Sequence, residues 1–259
     1  VAGRHSKHGW TATAWDAQVF GRAAGAAAAT LVLAWLVTAA TDEGGVPWGE
    51  RAGRTLPLAP LCAALGVSAA LSPARWRGET GALAALGRSR AQIAAGAVAG
   101  GAGVAVVAAL LIGLVGRVDV TGFYPTATHA SAWRWDGAGF VDAVRGLRVA
   151  ADGVPRPVPI EGGVGAASLP VHARAAAAMT TALSGLALSM LLGHVLLARA
   201  PDRRFGRRDA WVAAWALASV AASVVLFQSA AAHQLPALSA VVPALSLLGV
   251  ALQRYRASP

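Results

Sequence analysis

The strongest constraint on this chain is its run of apolar segments. Six stretches are long enough, or nearly so, to cross a bilayer: roughly Ala23 to Ala40, Leu56 to Leu71, Ile93 to Val115, Ala173 to Leu197, Trp211 to Ala231 and Leu235 to Leu252. About 20 mostly apolar residues suffice for a spanning helix, because only a helix satisfies its own backbone hydrogen bonds in lipid. Charged residues make up 13% of the chain and mean hydropathy is +0.55, whereas a soluble domain carries about 25% charged residues. A water-soluble fold is therefore excluded. The expected class is a mainly α, polytopic membrane protein with six transmembrane helices (3+3) and a small β-rich extracytoplasmic insertion between helices 3 and 4.

Three regions follow. Residues 1–115 hold helices 1–3 and a charged turn at about 78–90, residues 116–170 form the insertion, and residues 171–259 hold helices 4–6. The second and sixth spans are short and contain Pro57 and Pro60, Pro236 and Pro243, so a kink is expected at Pro243. Basic residues precede the first span, and Val37 to Ala40 could pass for a cleavage site. The segment is read as a retained first helix.

Orientation follows from the basic residues, which stay on the cytoplasmic side of short loops. With the N-terminus inside, Arg4, Lys7, Arg22, Arg75, Arg77, Arg88, Arg90, Arg199, Arg203, Arg204, Arg207, Arg208, Arg254 and Arg256 all fall inside, against Asp16, Glu79, Asp202 and Asp209. The outer segments hold eight bases and eight acids, so the net charge of +10 lies on one face and both termini are cytoplasmic. Bases confined to membrane-flanking loops fit topology and anionic headgroups rather than nucleic acid.

Chemistry on the chain itself is sparse. The single cysteine, Cys62, lies within the second span, and His194 and His233 fall near opposite faces, so neither a disulfide nor a shared haem or other metal site is expected. Lys7 is the only lysine and no Gly-x4-Gly-Lys-Ser/Thr loop occurs, so any ATP and Mg belong to another chain. No set of catalytic residues stands out, and no cofactor is expected on this chain.

In the 116–170 segment the pattern changes to period two. Trp133-Arg-Trp135 precedes a turn signal at Asp136-Gly137, and Val144 to Val149 precedes another at Asp152-Gly153. Phe123, Tyr124, Trp133, Trp135, Phe140 and Leu147 would form a thin core leaning on the membrane helices or on a partner. The Pro-rich stretch Val154 to Pro159, followed by Gly162-Gly163, reads as a linker.

Between the second and third spans lies a charged island, Arg75-Trp-Arg-Gly-Glu79-Thr-Gly-Ala-Leu-Ala-Ala-Leu-Gly87-Arg-Ser-Arg90. A helix from about Glu79 to Leu86 would align Ala82, Leu83 and Leu86, stop at Gly87, and leave Arg88 and Arg90 toward headgroups or a partner. Such a helix can receive force from a soluble motor; an ordinary positive-inside loop is the alternative.

Two other sets are candidates. Gly96 and Gly100 have the small-x-x-x-small spacing that lets helices approach closely, as do Gly21 and Gly25. Outer Arg51, Arg54, Arg117 and Arg174 could meet lipid phosphates, or anchor helix ends by snorkelling.

The run Leu56 to Leu65 followed by Arg77 to Arg90 resembles the second span and coupling helix of the LptF/LptG (YjgP/YjgQ) permeases. Leu169-Pro-Val-His172-Ala-Arg174 and His233 to Pro243 resemble that family's entries into its fourth and last helices. The resemblance implies a permease half of an ABC transporter in the bacterial inner membrane, powered by an LptB-like cytoplasmic ATPase dimer and paired with a second permease copy or paralogue. It would extract or export a lipid or lipopolysaccharide-like amphiphile, with a possible periplasmic partner on 116–170. By the same resemblance Glu79 and Leu83 to Gly87 would dock in the ATPase, and the first and fifth spans would line the lipid cavity. The insertion is less than half as long as the family's jellyroll. Two other readings are an FtsX- or macrolide-exporter-like permease, usually of four spans, and a non-transporting membrane scaffold.

Overall fold

The computed structural model describes residues 13–41, 46–124, 134–142, 147–150, 152–157, 169–198 and 207–256. Arg4, Lys7, Trp133, Arg199, Asp202, Arg203, Arg204 and the Gly162-Gly163 pair lie outside the described residues. Eight α-helices are present among those described: α1 Ala14–Thr41, α2 Trp48–Thr55, α3 Ala59–Trp76, α4 Glu79–Ala85, α5 Arg90–Leu114, α6 Ala173–Ala198, α7 Arg207–Ala231 and α8 Val241–Arg256. Six helical units, with α2 and α3 counted as one and α8 joined to its preceding turn, are long and apolar enough to cross a membrane.

The second unit is longer than the sequence pattern suggests. A 3-10 turn at Leu56–Leu58 joins α2 to α3, so helix runs almost unbroken from Trp48 to Trp76. Pro57 and Pro60 fall at the first positions of the turn and of α3, where a backbone N–H has no intrahelical partner to lose. The same logic corrects the kink expected at Pro243. It sits in the first turn of α8, after the 3-10 turn Ala237–Ala240, and so bends no helix interior.

The helices pack as one body around α5 and α6. Helix α5 lies against α1, α3 and α6, and α8 bridges α6 to α7. Alanine and glycine make this closeness possible: Ala23, Ala63, Ala97 and Ala187 are all fully buried. Gly96 and Gly100 do form a seam, but within the chain. A Cβ at Gly96 would lie 2.6 Å from the Asp16 carbonyl, and one at Gly100 would strike that of Phe20, so the partner of α5 is α1. Gly21 and Gly25 face away, with nothing within 4 Å of an added Cβ.

The insertion contains a four-stranded antiparallel meander, β1 Arg134–Trp135, β2 Gly139–Asp142, β3 Leu147–Ala150 and β4 Pro155–Pro157. Both expected turns are present. Gly137 and Gly153 take φ of 93° and 73°, while Asp136 Oδ1 accepts from the Ala138 and Gly139 N–H groups and Asp152 Oδ1 from that of Val154. Two expectations are corrected. Pro155 to Pro157 is an edge strand rather than linker, since an edge tolerates residues that cannot donate. Phe123 and Tyr124 do not join the sheet: they end a 3-10 turn and pack on Phe227 of α7, at ring separations of 5.6 and 5.2 Å. The Tyr124 hydroxyl donates to the Ala173 carbonyl, and burial pushes its pKa well above the ordinary value.

Candidate functional site

Helix α4 is short, exposed and sharply bounded. Gly78 enters it with φ 76° and Gly87 leaves it with φ 84°, a left-handed conformation that suits glycine. At its end the Gly87 N–H donates to Ala84 and the Arg88 N–H to Leu83, the pair of bonds that closes a Schellman stop. Two residues on, Ser89 and Gln92 bond reciprocally as a capping box that starts α5. The turn is thus fixed on both sides by local hydrogen bonding, and no residue of α4 is buried.

Its side chains divide into two groups. Ala82, Gly87 and Arg90 are exposed, Leu83 is half-buried, and Leu86 is 80% exposed, as is Trp76 at the end of α3 to 89%. An apolar knuckle therefore projects from the end of the bundle with no described part of this chain over it. Glu79 accepts from Arg77 Nε at 2.6 Å, and that hydrogen bond holds its carboxyl below the usual glutamate range.

Arg88 departs from the sequence reading. It turns inward, donating through Nη2 to both carboxylate oxygens of Asp16 at 2.8 and 2.9 Å, with its guanidinium 5.8 Å from the Trp15 ring. Asp16 is 4% exposed and also accepts from the N–H and hydroxyl of Thr13. This joins the end of α4 to the start of α1. The sequence carries a signal for the two helix starts, since Thr13-Ala-Trp-Asp16 has capping-box spacing ahead of an apolar run, as does Ser89-Arg-Ala-Gln92, but none for the pair that joins them.

The outer arginines are likewise not one group. Arg174 donates to the carbonyls of Ile112, Val115, Gly116 and Val118 at 2.8 to 3.1 Å, closing the C-terminus of α5 from α6. It is a carbonyl clamp rather than a headgroup ligand. Arg54 pairs with Glu50 at 2.6 Å, Arg51 lies 5.8 Å from the Trp35 ring, and Arg117 is exposed. Gly49 of α2 packs on the Arg117 carbonyl, and Arg174 bonds the carbonyls on either side of Arg117, so α2, this loop and the start of α6 meet at one end of the bundle. Cys62 is buried, and among the described residues no three His, Cys, Asp or Glu side chains cluster as metal ligands.

No protein family, curated protein or solved structure matches the chain, so the site must be read from its own geometry.

Proposed function

We propose that the chain is a membrane permease subunit of an ABC transporter, similar to the LptF/LptG permeases, and that α4 is the helix on which a separate cytoplasmic ATPase pushes. The observation that carries this reading is the pairing of an uncovered apolar knuckle at Leu86 with an internal ion pair that starts two residues on, at Arg88. A motor seated on Leu86 and Glu79 would move Gly87 and Arg88, and through Asp16 the start of α1. An ordinary positive-inside loop needs neither a stop, a cap nor a link to another span.

Membrane insertion is part of the same proposal. The six apolar units would cross the bacterial inner membrane with α4 and both termini cytoplasmic and the β meander outside. The cargo is then a lipid or another amphiphile taken from the membrane, with a second permease copy or paralogue completing the passage. Six units favour this family over FtsX-like permeases of four spans. An insertion of four short strands also favours delivery to a separate outer partner over carriage by the chain itself.

The test is purification of the chain with its native partners. A nucleotide-hydrolysing subunit should come with it, Leu83→Pro should release that subunit, and Glu79→Ala should weaken it or uncouple its turnover. Recovery without any ATPase, or no effect of either substitution, would overturn the reading in favour of a non-transporting scaffold.

A further inference from the structure

A cavity of about 290 Å³ opens between α6, α7, α8 and the beginning of α3. Phe123 and Phe227 close it toward the insertion, Leu188 and Leu247 toward the middle of the bundle, and no residue lining it is charged. Helix α7 packs on α8 and its leading 3-10 turn but hardly on α6, and the cavity occupies the gap left between them. Val220 and Val224 of α7 line it and are themselves 46% and 49% exposed, so it communicates with the outside of the bundle sideways.

Hydroxyls interrupt this apolar wall in an ordered way. Thr180 and Ser184 lie one turn apart on α6, and Ser219 and Ser223 one turn apart on α7. At about 1.5 Å per residue, Thr180 and Ser223 both lie roughly 11 Å from the insertion ends of their helices, and Ser184 and Ser219 both lie roughly 17 Å from them. The two helices thus present matched rungs at two depths.

Hydroxyls inside helices commonly bond back to the carbonyl one turn earlier, as Thr30, Thr55 and Thr181 do here. Thr180 instead reaches the Ala240 carbonyl of the neighbouring 3-10 turn, at 3.4 Å. The hydroxyls of Ser184, Ser219 and Ser223 take part in no hydrogen bond with any described residue. Ser219 is buried and Ser184 and Ser223 are half-buried, so their hydroxyls are free to take a partner that enters the cavity.

We infer that this cavity is a binding slot for a neutral amphiphile, an apolar chain that carries a hydroxyl or ester group to the rungs and enters sideways from the bilayer. A charged headgroup does not suit it, because the wall offers no counter-charge and an unpaired ion in such surroundings is costly. A plain hydrocarbon would leave the hydroxyls unanswered. The inference rests on the membrane placement proposed above but not on the coupling role of α4.

The experiment uses the full chain in nanodiscs and two photoactivatable probes of equal chain length, a diazirine-bearing monoacylglycerol and a diazirine-bearing alkane, with labelled peptides mapped by mass spectrometry. The monoacylglycerol should label residues near 180–188 and 219–227 at least fivefold more than the alkane does. Joint replacement Ser184→Ala, Ser219→Ala and Ser223→Ala should abolish that preference while leaving alkane labelling unchanged, and Ser219→Phe should block both probes. Unlabelled monoolein should compete on the wild-type chain and hexadecane should not, which reads the same selectivity without any substitution. Equal labelling by the two probes, competition by both compounds alike, or a preference that survives loss of the three hydroxyls would overturn it. ATPase association is not part of the readout, so the slot and the coupling role can fail separately.

Discussion

At one end of α5, Arg88 closes on the single carboxylate of Asp16; at the other, Arg174 reaches across from α6 to four backbone carbonyls. Both are arginines anchoring the same helix, yet the anchors differ in kind. The carbonyl clamp uses several bonds to groups that do not titrate, and it ties the end of α5 to the first turn of α6, beside the insertion. The ion pair joins two charged side chains at the foot of an exposed turn and ties that turn to α1, a helix with little of its apolar surface buried. At that end α5 is also held by the Tyr255 hydroxyl, which donates to the Ala91 carbonyl at 2.7 Å, and by the close approach of Gly96 to the Asp16 carbonyl, so the two ends differ in the chemistry of their anchors rather than in their number.

The largest effect should come from the carbonyl clamp. Arg174→Ala removes all four bonds and should cost on the order of 3 kcal/mol or more, since hydrogen bonds to charged groups contribute about 1.5–3 kcal/mol each when broken singly. In a chain of this size that would lower the melting temperature by roughly 6–12 °C, read by fluorescence in detergent. A fall of only a degree or two would show that the two anchors are alike.

Packing between α5 and α1 comes next. Gly100→Leu drives a side chain into the Phe20 carbonyl of α1 and should destabilise by about 1–3 kcal/mol, whereas Gly25→Leu, which meets nothing within 4 Å, should leave the melting temperature unchanged. If the two substitutions have equal effects, α1 is not seated on α5 as described.

The ion pair is expected to be weaker than the clamp. A double-mutant cycle with Asp16→Asn and Arg88→Gln should give a coupling energy of about 1–2 kcal/mol, between the values for exposed and buried pairs. In the assembled complex either single substitution should lower stimulated ATP hydrolysis more than it lowers the melting temperature. Parallel losses would make the pair structural only.

Smallest is the effect of Glu79 on stability. Glu79→Gln should leave the melting temperature within error of the wild type, because the Arg77 pair is solvent-exposed. Its folded carboxyl titrates below the ordinary glutamate range, so whatever the charged pair contributes is present above that range and lost only as pH falls through the depressed value. Partner binding through Glu79 should therefore be flat between pH 6 and 8, and a midpoint inside that window would point to another group.

Much of the helical plan was legible in the sequence because hydrophobic run length is a local signal. The six segments, the α4 start at Glu79 and stop at Gly87, and both Asp-Gly turns needed only composition and turn chemistry. What escaped was pairing across distance. Charge counting places Asp16 and Arg88 on one side but cannot say that they meet across 72 positions, and Arg174 looks like any interfacial arginine until the carbonyls of α5 are seen around it. The second unit reaches back to Trp48, beyond the apolar run that starts at Leu56, because α2 is a charged helix whose length hydropathy does not register, and Pro243 makes no kink because it stands in the first turn of α8.

Strand β4 carries one further consequence. With Pro155 and Pro157 at its ends, the rim of the meander beyond it lacks two amide donors and is a poor template for another strand. Growth of this sheet into a longer neighbour from that side is disfavoured. An outside protein would have to approach by the β1 rim or lie flat on the row formed by Trp135, Phe140, Val149 and Pro155, where two half-exposed aromatic rings already meet at 5.1 Å.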